Sequence, residues 1–592
     1  MDEKDAFFTE TGLKARISRV YYGLGSFLHH LCANPNPEQT SPARLYFPGV
    51  VMSDVIKVLA VDDVEANLMI IRGCLKGDGF ELVTCTNAVD ALQKFKEQYF
   101  DILLLDVIMP GIDGFELRKL IRASDPDRPI IFLTSMVEDK NMTMLNQITW
   151  DANTYYLNKA VGKKTLIQKI TEVVTTYRRK LMEHRYSDQL EEERALAGDL
   201  QKVLLPNWCI CNDDLLFSSI YVPYMHVSGD LYEIIPFGDS KYLFFIGDIS
   251  GHGLSAALYM AAVQSWLKMT LRNNDIRIHE LMSRLNKFFC EDLQSKNYMT
   301  ALAAIIDFKN NHISMHSAGH PGLLFASPGK KTVTVSDTKK GSMPLGWMVN
   351  AEFPETENFD CDFDDDTIFV AITDGVLDMT NEDGQIMDEK DFHSIIQCQL
   401  DNPNVVALPY RIKGIMAKMG FDKAPDDFTI AAFQKRSARK GILERVIPAR
   451  LAEVDKVAQE FSAITDDLRQ STEIDLCVRE YLNNIIVHGS HDKKKAPDLI
   501  YVGIGEENGD LFLQGAERGG KWDITGTRET NDPQLFTPKA TPEAGQPEED
   551  NLFATSGRGI QIIKAVTQYV SYETNSGLNE TKFVFNKRTP ES

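Results

Sequence analysis

Hydrophobic and polar positions alternate along this chain in four different ways. From 55 to about 176, short apolar runs read as strands: IKVLAV, FELVTC, DILLLD, PIIFLT and TYYLNK. Amphipathic stretches of helical length separate them, the pattern of a doubly wound parallel sheet. Residues 163–205 then read as one long helix, with no proline before Pro206. Its apolar stripe runs through Leu166, Ile170, Val173, Tyr177 and Leu181 and resumes at Leu190, Ala197 and Leu204. A stripe that outlasts the first domain points to a helical linker with a coiled-coil tendency, the alternative being a solvated connector. Between 207 and 436 strands dominate (YLFFIGDIS, TALAAIIDF, HISMHSAG, TIFVAITDG, FTIAAFQ), interrupted by the helical SAALYMAAVQSWLKMTLR and HELMSRLNKFFCEDLQ. This predicts a β-sandwich flanked by helices. Residues 437–592 predict a smaller α/β unit that ends in the strands VSYET and TKFVFNK around a turn at Asn575-Ser576-Gly577. The Pro-rich, acidic stretch 530–556 has the length of a lid or a disordered loop.

The expected organisation is therefore an N-terminal extension over 1–52, a first α/β domain over 53–177, a helical linker over 178–206, a β-sandwich domain over 207–436 and an α/β domain over 437–592. The extension lacks a strand pattern. It reads either as a disordered or weakly helical segment, or as residues upstream of a natural start at Met52. A chain of 592 residues is too long for one core. Its 43% hydrophobic and 25% charged residues are those of an ordinary globular protein. No apolar run approaches the ~20 residues of a membrane span, and the acidic start is unlike a signal peptide. Nine cysteines without paired metal spacing suggest a reducing, cytoplasmic setting. A net charge of −22 argues against nucleic acid as a partner.

Three sets of acidic residues carry the candidate chemistry. Asp62, Asp63 and Asp106 close strand-like runs, and the carboxyl ends of parallel strands share one crevice. Thr134 and Lys159 would join them there. The carboxylates suit Mg²⁺, Asp106 can attack phosphorus, and Lys159 can offset phosphoryl charge. The motifs VDD, LLDVIMPGIDGFEL, LTS and YLNK, in this order, resemble the flavodoxin-like receiver domain of response regulators. The resemblance implies Asp106 as phosphoacceptor for a cognate histidine kinase, Asp62 and Asp63 as metal ligands, and Thr134 with Tyr156 as a switch pair. Ala160 stands where that family has proline.

The second set is Asp230, Asp248, Asp374 and Asp426, in SGDLYE, GDISGHG, TDG and DDFT. Four acids at strand edges can hold two hard cations, which make a water nucleophilic toward phosphate. The segment resembles the PPM/PP2C serine/threonine phosphatases in their sporulation and stress-response branch. That implies two Mn²⁺ or Mg²⁺ ions, with Asp248 bridging and aided by the Ile249 carbonyl. Asp230 would serve one ion, and Asp374 and Asp426 the other; Asp427 is a neighbour and His252 part of the turn. ALAGDLQKVLLP matches the regulatory helix that precedes this branch.

The third set lies in REYLNNIIVHG, where Glu480 and Asn484 share a helix face. There Asn484 can ligate Mg²⁺ and Glu480 can act as a base, while the GRG of Gly557, Arg558 and Gly559 opens a helix whose N–H groups suit phosphate. ExxxNxxxHG and SGRGI resemble the GHKL ATPase fold of anti-sigma-factor serine kinases, which implies ATP. Glu517 and Gly519 stand where that family carries its adenine-binding DxGxG, with Lys521 in place of a glycine. The expected activity is a phosphorylation-controlled phosphatase acting on a phosphorylated STAS-type antagonist of an anti-sigma factor. Its C-terminal domain would rephosphorylate that antagonist or bind a sigma or anti-sigma factor. The alternative is a C-terminal domain that only binds a partner. The linker stripe implies a homodimer, with no nucleic acid or membrane involved.

Overall fold

The computed structural model describes residues 55–134, 153–436, 442–519 and 558–585, apart from short breaks at 78, 252, 273–275, 337–342, 489–496 and 508. The 1–52 extension and the whole 530–556 stretch fall outside these residues. The chain divides into two compact units between Ser187 and Asp188.

The first unit is a five-stranded parallel sheet in the order β2-β1-β3-β4-β5, from β1 (Ile56–Val61), β2 (Phe80–Cys85), β3 (Ile102–Asp106), β4 (Ile130–Thr134) and β5 (Thr154–Asn158). Strands β1, β3 and β4 are buried on both faces, so they read as unbroken apolar runs rather than as alternation. The order reverses beside β1, which puts the crevice at the ends of β1 and β3.

The Lys163–Leu204 helix is continuous, but its apolar stripe has two uses. Leu166, Ile170 and Val173 are core residues of the parallel-sheet unit, and Tyr177 is buried. Of its later members Leu181, Leu190 and Ala197 are half-buried and Leu204 is exposed, and Met182, Tyr186, Leu196, Leu200 and Val203 of the same helix half are exposed as well. The expectation that one seam runs from 166 to 204 is corrected: its first three turns complete a domain core and are spent there. Arg178 fixes the helix on this unit through two bonds to the buried Asp101 carboxylate, 2.9 and 2.7 Å. The same carboxylate accepts the Lys57 N–H at 2.8 Å.

In the second unit two sheets stack face to face. One has the order β14-β11-β10-β9-β8, from β8 (Asp230–Pro236), β9 (Lys241–Ile249), β10 (Met299–Asp307), β11 (His312–Ala318) and β14 (Phe359–Asp362). The other runs β13-β12-β15-β16-β7-β6, from β6 (Cys209–Cys211), β7 (Leu215–Val222), β12 (Leu324–Ser327), β13 (Thr332–Val335), β15 (Ile368–Ile372) and β16 (Phe428–Lys435). Alternate residues such as Phe244, Leu302, Phe369 and Phe433 fill the space between them. Helices Leu254–Leu271 and Ile278–Lys287 cover the outer face of the first sheet. Helices Glu389–Cys398 and Leu408–Lys418 cover the second.

A further antiparallel sheet, β17-β18-β19-β21-β20, is built from β17 (Ile442–Pro448), β18 (Leu499–Glu507), β19 (Asp510–Arg518), β20 (Thr567–Asn575) and β21 (Leu578–Phe585). One face packs on helices Leu451–Ser462, Leu468–His488 and Arg558–Val566. The other contributes Tyr501, Ala516 and Leu578 to the core of the sandwich domain. There the Arg411 guanidinium meets the buried Glu580 carboxylate with two bonds, 2.9 and 2.6 Å, and Arg518 lies 5.3 Å over the Trp208 ring. No helix of the described residues is long and apolar enough to cross a membrane.

Removing one member of a buried, hydrogen-bonded ion pair strands the other charge. Asp101→Ala is therefore expected to destabilise the parallel-sheet unit by about 3 kcal/mol, seen as a lower urea midpoint for its transition. An unchanged midpoint contradicts the role given to this pair.

Candidate functional sites

In the parallel-sheet unit Asp62, Asp63 and Asp106 come together as expected. Their ligand oxygens all lie within 4.8 Å of one another, with Asp62 and Asp106 buried and Asp63 exposed. Asp62 is oriented by the Val64 N–H and the Asn67 amide, 3.0 and 2.9 Å. Lys159 reaches Asp62 at 2.7 Å and Asp106 at 2.9 Å. Burial works against its charge, but the two carboxylates outweigh burial and hold its pKa above the usual lysine value. Thr134 ends β4, and its carbonyl accepts the Lys159 N–H at 2.8 Å. The Tyr156 ring stacks on Phe132 with centroids 5.2 Å apart. Gly114 is required here, since a Cβ would fall 2.1 Å from the Asp106 carbonyl oxygen.

The sandwich acids gather at one end of the two sheets. Asp230 and Asp248 are direct cross-strand partners on β8 and β9. Residue parity turns both toward the space between the sheets, with Asp230 buried and Asp248 half-buried. Asp374 opens a single helical turn after β15 rather than ending a strand, and Asp426 precedes β16; both lie exposed at the rim. Gly375 lets that turn approach, because a Cβ would sit 2.0 Å from the Asp427 carbonyl oxygen. Burial first, then the neighbouring acids Asp374, Asp426 and Asp427, push the Asp248 carboxyl up to about 8. Burial and Asp248 likewise raise Asp230 well above the carboxylate range.

Several contributors sit inside the motifs TDG, DDFT and ALAGDLQKVLLP, but the motifs give no sign of what they contact. Thr373 and Thr429 donate to one oxygen of Asp230, Thr373 at 2.8 Å. Both alternate with core residues of β15 and β16, so strand parity alone could have placed them inside. Asp427 accepts the N–H groups of Tyr224 and Gly229 at 2.7 and 2.8 Å. Both its oxygens are thus engaged by the loop that leads into Asp230. Gln201, near the end of the long helix, grips the same loop, donating to the Ser228 carbonyl at 2.7 Å and accepting the Ser228 N–H at 3.0 Å. The Asp230 N–H in turn donates to the Ser228 hydroxyl at 3.0 Å. Gly198 permits this contact, since a Cβ would lie 2.0 Å from the His226 carbonyl oxygen. His252 lies outside the described residues.

In the last sheet domain Glu480 and Asn484 stand one turn apart on the Leu468–His488 helix, both half-buried. The Asn484 amide nitrogen is buried without a hydrogen-bond partner among the described residues. Glu517, near the end of β19, is buried next to Tyr481 and Asn579, and burial pushes its carboxyl up to about 8. Gly519 follows in a bend. Arg558 and Gly559 open the Arg558–Val566 helix. Gly557 and Lys521 lie outside the described residues.

The raised Asp248 value sets a pH dependence. In the metal-free chain its pKa lies above that of an unfolded aspartate, about 4. The stability it contributes is full below that value and is lost as pH rises toward 8. A divalent ion must displace this proton. Mn²⁺ affinity of the sandwich site is expected to rise about tenfold per pH unit between 6 and 8 and to level off above 8. Titrations at several pH values check this, and a pH-independent affinity contradicts it.

Three family models match successive parts of the chain: the response regulator receiver domain over residues 58–171, stage II sporulation protein E (SpoIIE) over 238–436, and the histidine kinase-like ATPase domain over 446–585. Among curated relatives, phosphoserine phosphatase RsbP of Bacillus subtilis is 28% identical over 32% of this chain and 46% of its own length. Phosphoserine phosphatase RsbU of the same organism is 22% identical over 45% of this chain and 78% of its own. The chain thus spans about half of RsbP, and it spans 18% of the sensor protein GacS of Pseudomonas syringae, to which it is 31% identical. Among solved structures, the RsbU and RsbW domains of a Mycobacterium tuberculosis protein align at 17% identity and a TM-score of 0.34, covering 63% of this chain and 94% of that one. The SiaA PP2C domain of Pseudomonas aeruginosa aligns at 18% identity and a TM-score of 0.35, covering 42% and 98%. This chain carries, in order, a response-regulator receiver domain, a SpoIIE-type PP2C-like domain and a histidine-kinase-like ATPase domain.

Proposed function

We propose that the chain is a metal-dependent phosphoserine/phosphothreonine protein phosphatase controlled by phosphorylation of its receiver domain. The observation that carries this reading is that Asp230 and Asp248 are direct cross-strand partners at one end of the sandwich, with Asp374 and Asp426 near enough to raise the Asp248 pKa. The donor set suits two hard cations, Mn²⁺ or Mg²⁺. Asp248, with the Ile249 carbonyl, would hold both ions, Asp230 would serve one and Asp374 and Asp426 the other. When bound, the ions lower the pKa of a water and polarise the phosphoryl oxygens. The chain's own part is to hold the acids in place against their mutual repulsion. Thr373 and Thr429 fix one Asp230 oxygen. Asp427 and Gln201 fix the loop before Asp230.

In the receiver domain Asp106 is the phosphoacceptor and Lys159 the group that meets phosphoryl charge. Asp62 and Asp63 hold Mg²⁺, and Thr134 with Tyr156 reports occupancy. The working boundaries are 53–177 for the receiver, 178–206 for the linker, 207–436 for the phosphatase and 437–592 for the ATPase domain, after a 1–52 extension. The linker is the route of control. Its exposed stripe from Met182 to Val203 pairs two copies, and Gln201 transmits a change in helix angle to the Asp230 loop. The phosphoserine phosphatases RsbP and RsbU support a phosphoserine protein as substrate; a STAS-type antagonist of an anti-sigma factor as that substrate, a cognate histidine kinase as input and a cytoplasmic setting complete the proposal.

For the ATPase domain, Mg-ATP binding through Asn484 and kinase chemistry with Glu480 as base form the first reading. Glu517 and Gly519 would meet adenine and the Gly557–Gly559 turn the phosphates. Glu517 in place of the family's aspartate and Lys521 in place of its glycine favour the second reading, a module that binds a sigma or anti-sigma factor without catalysis.

Asp248→Asn is expected to reduce turnover of a phosphoserine protein at least a thousandfold while leaving labelling by a small phosphodonor intact. Asp106→Asn is expected to show the reverse: no labelling, basal turnover retained, and no response to the donor. Near-wild-type turnover by Asp248→Asn contradicts the phosphatase assignment.

Glu480→Ala is expected to abolish phosphate transfer from ATP to the antagonist while preserving nucleotide binding by calorimetry. A wild-type chain that binds no Mg-ATP rejects the kinase reading in favour of the binding module.

A further inference from the structure

Beside the phosphatase crevice the surface changes character. Trp347, Met348 and Val349 are three consecutive large apolar residues, each about half exposed, and Trp347 is 58% exposed. The Trp347 ring meets the exposed Tyr298 ring edge-on, with centroids 4.9 Å apart. Single exposed apolar residues are ordinary, but a contiguous cluster of this kind marks a contact surface.

The cluster is held rigidly. Leu345, its buried root, exchanges two backbone hydrogen bonds of 2.8 Å with Met299 at the start of β10. The buried Asn286 side chain accepts the Gly346 N–H at 2.8 Å and donates to the Met348 carbonyl at 3.0 Å. Gly346 has φ +80 and lies against Phe289 and the Asn297 carbonyl. The backbone is thus fixed from below while the side chains point into solvent, an arrangement that lowers the ordering cost of binding.

The same cluster is tied to the loop that follows Asp248. The Ser250 N–H donates to the Tyr298 carbonyl at 2.8 Å, and the Tyr298 N–H donates to the Ser250 hydroxyl at 3.0 Å. The Asn297 amide donates to the Ser250 carbonyl. Thr300, the cross-strand partner of Asp248, lies two residues beyond Tyr298, about 7 Å along the strand. A phosphoryl group seated in the crevice would therefore bring the neighbouring residues of its own chain over this surface.

We propose that Tyr298, Trp347, Met348 and Val349 form a docking surface for apolar side chains flanking the phosphorylated residue of the protein substrate. The inference rests on the phosphatase reading and extends it to substrate choice. Aromatic anchors beside an adaptable methionine are the composition of an energetic hot spot. A small phosphate ester would not reach the surface.

The test uses the full chain with Mn²⁺ and three probes: p-nitrophenyl phosphate, and two phosphoserine decapeptides of equal charge, one flanked by leucine and phenylalanine, the other by alanine. The wild type is expected to prefer the apolar peptide about tenfold in kcat/KM, chiefly through KM. Trp347→Ala/Met348→Ser should lose that preference and keep p-nitrophenyl phosphate turnover and thermal stability. Equal use of both peptides by the wild type, or equal loss on all three probes in the variant, overturns the docking surface. A variant that changes oligomeric state but retains the peptide preference assigns the cluster to a second copy and also overturns it. Absence of turnover of every probe by the wild type rejects the phosphatase reading itself.

Discussion

Repulsion among carboxylates at the mouth of the sandwich is the constraint on which the rest of the sandwich domain turns. Asp230 and Asp248 face each other across one strand pair, with Asp374 and Asp426 at the rim. Such a group persists in a fold only if protons or cations neutralise it, and only if the scaffold resists pushing the acids apart. The surrounding architecture meets the second condition. Two fully buried threonines fix Asp230, a fifth acid, Asp427, clamps the approaching loop, and glycines at 229 and 375 let the backbones come close enough. The first condition makes the domain responsive to metal.

This constraint also gives the linker helix a lever. Gln201 bonds both backbone groups of Ser228, one residue from the Gly229 N–H that Asp427 holds and two from Asp230. A helix that rotates or withdraws must break two buried hydrogen bonds or carry the loop with it. Either outcome alters an acid of the crevice. The ATPase domain is coupled differently: the outer face of its sheet shares a core with the sandwich through Tyr501, Ala516 and Leu578, sealed by Arg411 and Glu580. Glu517 and Arg518 are sequence neighbours on opposite faces of β19, one beside the candidate nucleotide site and the other over Trp208.

What could be read from the chain follows from the range of the interactions involved. The parallel sheet was legible because strands buried on both faces are plain apolar runs, and its acids because they end those runs. The sandwich acids were legible from local glycine-acid motifs. The Asp374 turn, the grip of Gln201 and the clamp of Asp427 were not, because each depends on a partner between 27 and about 200 residues away. The linker stripe misled for a related reason. Helical periodicity shows that a face is apolar but not what covers it, and Leu166, Ile170 and Val173 are covered by their own domain. The packing of the ATPase sheet on the sandwich was likewise invisible, since both faces of a sheet buried between two layers look alike in one dimension.

The most direct test of the account is a count of ions. The receiver site is first disabled by Asp62→Asn/Asp63→Asn, and Mn²⁺ is titrated into the full chain without nucleotide at pH 8 by calorimetry. The account predicts two ions per chain, both lost on adding Asp248→Asn. Binding that is absent in the receiver variant, or that survives the loss of Asp248, would contradict it.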